Sequence, residues 1–255
     1  MSATRLLGGD GPVVVLLHGL AGHAGEWTQT AGWLSERYRV LALDARGHGV
    51  AERAPRDVSR EAHVADVVDA IERLEVGRVI VVGQSLGGHT AMLVAARRPD
   101  LVQGLVMVEA SPAGGNTEVA DELGRALRRW PVPFPSSTAA LEFFGGPSQT
   151  AEAWVDGLEE RDGGWWPRFD VDVMVQTLRE AVTRSYWDEW DRIRCPTLVV
   201  RAGAGTIPAA DAEAMVARLP QARLVEIEGA AHDVHLDRPM EWREALTEFL
   251  RSEGL

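Results

Sequence analysis

Ser85 stands in Gly83-Gln84-Ser85-Leu86-Gly87-Gly88, directly after the β-branched run Val79-Ile80-Val81-Val82 and before an alanine-rich helical stretch. A serine in a Gly-x-Ser-x-Gly turn between a buried strand and a helix is held in a strained bend, with its hydroxyl exposed at the sheet edge. Gly83 and Gly87 keep side chains out of the point where strand and helix cross. The chemistry open to such a hydroxyl is nucleophilic attack, and it needs a base because a hydroxyl is a poor nucleophile at neutral pH. Seven histidines are available, and position selects among them. His232, in Glu228-Gly229-Ala230-Ala231-His232-Asp233, follows the last apolar run, where the chain returns to the edge that carries Ser85. His235 is expected to pack at the start of the final helix, His18 and His48 to brace glycine-rich turns, and His63 and His89 to sit on helices. His232 is therefore the expected base.

Attack on a carbonyl also needs donors for the developing oxyanion. Backbone amides serve at little reorganisation cost, and losing one donor costs about 3 kcal/mol in other enzymes. Leu86, directly after the serine, and Leu20, in His18-Gly19-Leu20-Ala21-Gly22, are the expected pair.

These residues must be positioned by a sheet. Short apolar runs at 13–17, 39–43, 78–82, 104–108, 197–201 and 223–227 alternate with helical patterns at 27–37, 60–74, 85–97, 209–218 and 239–251. That alternation predicts an α/β fold with a mostly parallel sheet between helices. About a dozen residues precede the first strong run, which leaves room for one antiparallel edge strand near 4–7. From Pro112 to about Asp191 no strand is predicted, and six of the nine tryptophans fall there. This stretch is too long for a plain connection and reads as a helical cap, 112–191, inserted into a core made of 1–111 and 192–255. Trp165, Trp166 and Trp187 are the cap residues expected to bind substrate, since ligand pockets are largely apolar and aromatic.

Composition narrows the partners. A hydrophobic fraction of 45% and a charged fraction of 25% are those of an ordinary globular protein. The net charge of −12 argues against nucleic acid and anionic membrane surfaces as partners. No leader-like apolar run opens the sequence, so a cytoplasmic location is expected. The only cysteine, Cys195, precedes Pro196 and a buried strand, and is expected to be structural.

In His18-Gly19-Leu20, Asp44-Ala45-Arg46-Gly47-His48-Gly49, the Ser85 turn and Gly229-Ala230-Ala231-His232, the chain resembles the α/β-hydrolases over nearly its whole length. Members usually carry the aspartate that orients the histidine in the loop after the penultimate strand. Here that loop reads Arg201-Ala202-Gly203-Ala204-Gly205-Thr206, without a carboxylate. One branch, including many haloalkane dehalogenases, is similar in carrying a glutamate after an earlier strand, which maps onto Glu109; those enzymes use an aspartate nucleophile, whereas position 85 is serine. Glu109 is thus the expected acid, with Asp211 or no carboxylate as the alternatives. The resemblance implies a serine esterase or enol-lactonase-like enzyme acting on a small, apolar ester or lactone, without metal or organic cofactor, as a monomer or homodimer. Carbon–carbon hydrolysis, perhydrolysis and ligand binding without catalysis are the alternatives it leaves. Arg168, in the cap, is a candidate partner for a substrate carboxylate.

Overall fold

The computed structural model of the chain describes residues 3–255; Met1 and Ser2, the start of the stretch read for a leader, lie outside them. In chain order its strands are β1 (Ala3–Gly8), β2 (Val13–Leu17), β3 (Arg39–Asp44), β4 (Val79–Gln84), β5 (Val102–Val108), β6 (Leu158–Arg161), β7 (Gly164–Pro167), β8 (Thr197–Ala202) and β9 (Ala222–Ile227). The helices are α1 (Thr28–Leu34), α2 (Arg60–Glu72), α3 (Leu86–Arg97), α4 (Glu118–Leu127), α5 (Ser137–Phe143), α6 (Gln149–Asp156), α7 (Val171–Val182), α8 (Trp187–Trp190), α9 (Ala209–Arg218), α10 (Val234–Asp237) and α11 (Pro239–Glu253).

Seven strands form one sheet in the order β1-β3-β2-β4-β5-β8-β9. Only β1 runs antiparallel, against β3; every other pairing is parallel. Side chains alternate across a strand, so each apolar run feeds two cores. Val13, Val15, Leu17, Val79 and Val81 pack on one face, with α2, α3 and α8. Val14, Leu16, Ile80 and Val82 pack on the other, with α1 and α11. Burial on both faces is why these strands read as unbroken hydrophobic runs rather than alternating ones.

The carboxyl ends of β2, β4 and β5 lead directly into the loops of Leu20, Ser85 and Glu109. Between β5 and β8 the chain leaves the sheet and forms α4 to α7, and residues of α4, α6 and α7 share a cavity with Ser85. This stretch is not purely helical: β6 and β7 make an antiparallel hairpin. Asp162 and Gly163 turn it, both at positive φ, 51° and 75°. An Asp-Gly pair favours the tight hairpin turn whose twist matches two flanking strands, so the signal stood in the sequence. The return to the sheet core also begins before 192, because Tyr186 and Trp190 are already packed in the core that holds α3.

Backbone packs on backbone where β4 turns into α3. A Cβ on Gly87 would fall on the carbonyl oxygens of Leu17 and His18, and one on Gly83 on the Gly87 backbone. Gly87→Ala is therefore expected to destabilise the fold by about 1–3 kcal/mol, the usual cost of overpacking a rigid site, which a urea titration would measure.

Candidate active site

Ser85 has φ 50° and ψ −117°, a backbone conformation that a non-glycine residue adopts only when its surroundings impose it. Its N–H donates to Val108 O at 2.8 Å and its carbonyl accepts from His89 N–H at 2.9 Å, so β5 and α3 hold the bend from both sides. Leu86 opens α3, and the first amides of a helix have no acceptor within it. Leu20 lines the cavity into which Ser85 opens.

Glu109 directly follows β5 and, like Ser85, has φ 50°. Its carboxylate is buried and accepts from two backbone amides, Ala202 N–H at 2.8 Å and Thr206 N–H at 2.7 Å. Thr206 Oγ1 lies 3.3 Å from Oε2, and His232 Nδ1 lies 3.2 Å from the same oxygen. Since an ionised carboxylate only accepts, this contact puts the proton on Nδ1 and leaves Nε2 as the ring's acceptor. Burial would raise the Glu109 carboxyl, but hydrogen bonds from His232, Ala202 and Thr206 outweigh it and hold the group below its ordinary 4.5.

The loop after β8 leaves room for this carboxylate. A Cβ on Gly205 would fall on the Glu109 carboxylate. The carboxylate that follows β5 occupies the space that a side chain at 205 would fill. Asp211, the alternative acid, contacts Ser111 Oγ at 3.3 Å instead.

Gln84 ties the serine turn to the histidine loop. Its side-chain N–H groups donate to His232 O at 3.1 Å and to Asp233 Oδ1 at 3.3 Å. The other histidines are buried in the fold. His18 Nε2 accepts from Ala45 N–H at 3.0 Å; His48 is fully buried, and burial lowers its pKa to about 3. His63 and His89 are buried in the fold, and His235 stacks on Trp27 with ring centroids 4.0 Å apart. Asp44 braces its loop by accepting from Ala24 N–H at 2.6 Å and Val50 N–H at 3.1 Å. The Cys195 thiol is buried and its pKa is pushed up to about 11, which suits a packing residue.

Ser85 and His232 stand where two cavities meet. The larger, about 520 Å³, is walled by Leu123, Trp130, Trp154, Phe169 and Leu178. The smaller, about 210 Å³, reaches Ser111 and Asp211, and shares Ser85, Leu178, Val182, Thr206 and His232 with the first. The three tryptophans expected to bind substrate line neither. Trp165 packs on Phe134 in a separate cap cluster, and Trp166, its neighbour on β7, meets the Arg161 guanidinium. Trp187 lies against the sheet core, beneath Arg218. The hairpin and the early return to the core take these rings away from the site. Arg168 is likewise absent from both linings. Sequence reasoning missed Gln84, Thr206, Trp130 and Trp154; the position of Thr206, in the loop that usually carries the acid, was the available signal.

A model of the alpha/beta hydrolase family matches residues 14–245 of the chain. The chain belongs to that family. This α/β-hydrolase is 32% identical over 262 residues to the sn-1-specific diacylglycerol lipase ABHD11 of Mus musculus, covering 96% of this chain and 84% of that protein. It is 31% identical over 258 residues to Esterase Rv0045c of Mycobacterium tuberculosis, covering 96% and 83% respectively. Among solved structures it is similar to E-2-(acetamidomethylene)succinate hydrolase, with a TM-score of 0.88, 26% identity, and coverage of 97% of this chain and 94% of that one. Among the described residues no helix is long and apolar enough to cross a membrane.

Two expectations follow from the Glu109 pocket. Gly205→Asp alone should abolish turnover, because two carboxylates would claim one volume, whereas Gly205→Asp with Glu109→Gly should recover part of it in the same assay. The second concerns pH. A folded carboxyl held below its ordinary value stabilises the fold fully above that value, and the contribution is lost as pH falls through the folded one. Urea unfolding should therefore show that Glu109→Gln costs more at pH 6 than at pH 3.

Proposed function

We propose that this α/β-hydrolase is a serine hydrolase that cleaves a carboxylic ester or lactone of a small, largely apolar substrate. The Glu109–His232 contact carries the reading: an imidazole with a buried carboxylate on Nδ1 shares its cavity with a serine in a strained strand-to-helix turn. A carboxylate so placed fixes the tautomer and supports the positive charge that develops on the ring.

In this reading Ser85 Oγ attacks the carbonyl carbon while His232 Nε2 takes its proton. The Leu20 and Leu86 amides hold the carbonyl oxygen as it becomes an oxyanion. Collapse of the tetrahedral intermediate breaks the bond to the leaving alkoxide, which receives the proton from His232 and departs as an alcohol. Water, deprotonated by His232, then attacks the acyl-enzyme, and the acid leaves as Ser85 regains its proton. The two cavities that meet at Ser85 hold the two sides of the scissile bond. The larger apolar one suits a hydrophobic substituent, since burying apolar area contributes about 25 cal/mol per Å². No cofactor enters any step.

A second reading, hydrolysis of a bond other than an ester, draws on the likeness to E-2-(acetamidomethylene)succinate hydrolase. Against a succinate-type substrate stands the larger cavity's lining, which includes no arginine or lysine.

A fluorophosphonate probe is expected to label the wild-type protein on Ser85, read by peptide mass spectrometry, and to leave Ser85→Ala unlabelled. Failure to label a folded wild type would sink the hydrolase reading and favour ligand binding alone. On an ester panel, Glu109→Gln should lower kcat by roughly 10²–10⁴-fold, with Asp211→Asn close to wild type. Glu109→Gln should also cost about 1–3 kcal/mol of stability, because one backbone N–H would then face an amide NH₂.

A further inference from the structure

Glu26 is a charged feature of the cavity that ester hydrolysis does not use. It sits in the 3₁₀ turn Ala24–Trp27, with its side chain 9% exposed, and lines the larger cavity together with Asp233. Its contacts are long for a carboxylate: His23 N–H at 3.4 Å on Oε2 and His235 Nε2 at 3.5 Å from Oε1. Charge-assisted hydrogen bonds ordinarily close to about 2.7–2.9 Å. Glu109, by comparison, takes two amides at 2.7 and 2.8 Å. Burial would raise the Glu26 carboxyl, but His235, with His18 and His23, outweighs it and holds the group below its ordinary 4.5, so Glu26 is an ionised carboxylate whose long contacts leave it acceptor capacity.

The surroundings add to this. Asp233 accepts from Gln84 at 3.3 Å, and burial together with the Glu26 charge pushes its carboxyl upward. His23 adds no free donor, since Nε2 meets Ala153 O at 3.0 Å and Nδ1 accepts from Gly25 N–H at 3.1 Å. That contact brings α6, which carries Trp154, against the turn of Glu26, and α6 also packs on α10. Trp154 meets Trp130 edge-on at 5.6 Å between ring centroids, and Phe169 joins Trp130 at 5.6 Å. Carboxylates and aromatic rings lining one cavity are the chemistry that holds an alkylammonium, by ion pairing and by the attraction of a cation to ring faces. They repel a carboxylate.

We propose that Glu26 and Asp233, with the Trp130–Trp154 wall, form a binding site for a cationic, hydrogen-bond-donating group on the substrate. The proposal rests on the cavity's being the substrate site and narrows the substrate class to amine-bearing esters over carboxylate-bearing ones. Glu26 and Asp233 act here as specificity residues.

The test is a binding titration that needs no turnover, so its outcome is separate from that of the fluorophosphonate experiment. Hexylammonium, 1-hexanol and hexanoate are each titrated into the wild type, Glu26→Gln and Asp233→Asn, with tryptophan fluorescence reporting from Trp130 and Trp154. Hexylammonium is expected to bind the wild type about tenfold or more tightly than hexanoate, with hexanol between, as one ionic hydrogen bond would give. Glu26→Gln should shrink that ratio to about threefold or less, and Asp233→Asn should shrink it in the same direction. A ratio is read because a capping role for Glu26 would change stability without changing preference among ligands. Hexanoate binding as well as hexylammonium, no binding of hexylammonium, or a ratio unchanged in both variants would overturn the proposal.

Discussion

A buried carboxylate must be satisfied from every side, and Glu109 shows how much of a fold that requirement recruits. Its oxygens draw on the backbone of Ala202, at the end of β8, on that of Thr206 in the loop beyond, and on the ring of His232. The segments that follow β5, β8 and β9 are thereby tied to one side chain. The sheet supplies the frame, since β5 lies between β4 and β8, so the Glu109 carboxylate stands one strand away from the serine turn. Gln84 closes the arrangement by fastening the histidine loop to that turn.

The sheet and its motifs were legible from the sequence because they depend on local rules. Runs such as Val79-Ile80-Val81-Val82 are buried on both faces, and that burial is written as an absence of polar residues. The serine turn was legible for a similar reason: Gly83 and Gly87 are the only residue type that fits where backbone meets backbone. The acid was harder. Glu109 was reached only through a resemblance to one branch of the family, and the overlap of a side chain at 205 with its carboxylate is a fact of packing alone. Such a relation between residues 96 positions apart has no local signature.

The cap resisted for a different reason. Trp165 and Trp166 look like pocket residues by type, but a pocket is a matter of direction. A hairpin turned at Asp162-Gly163 sends adjacent side chains to opposite faces, one to Phe134 and the other to Arg161. Trp187 belongs to a short helix pinned under α3, and Trp190 beside it donates to Met215 O at 2.9 Å. Aromatic content marked the right segment, while the rings that face the site, Trp130 and Trp154, are distinguished from the others by packing alone.

Carrying the Glu109 carboxylate directly after a strand also divides the molecule by stability. Ser85 and Glu109 sit at the ends of β4 and β5, whose side chains are buried along nearly their whole length. Local opening free energies rise with such burial toward the global value. Amides of these two strands should thus exchange with solvent only when the whole domain opens. The cap joins the site through small clusters around Trp130, Phe134 and Phe169, which places it at the lower end of that scale. The turns that carry Ser85 and Glu109 and the segment inserted between β5 and β8 thereby belong to different cooperative units of one chain.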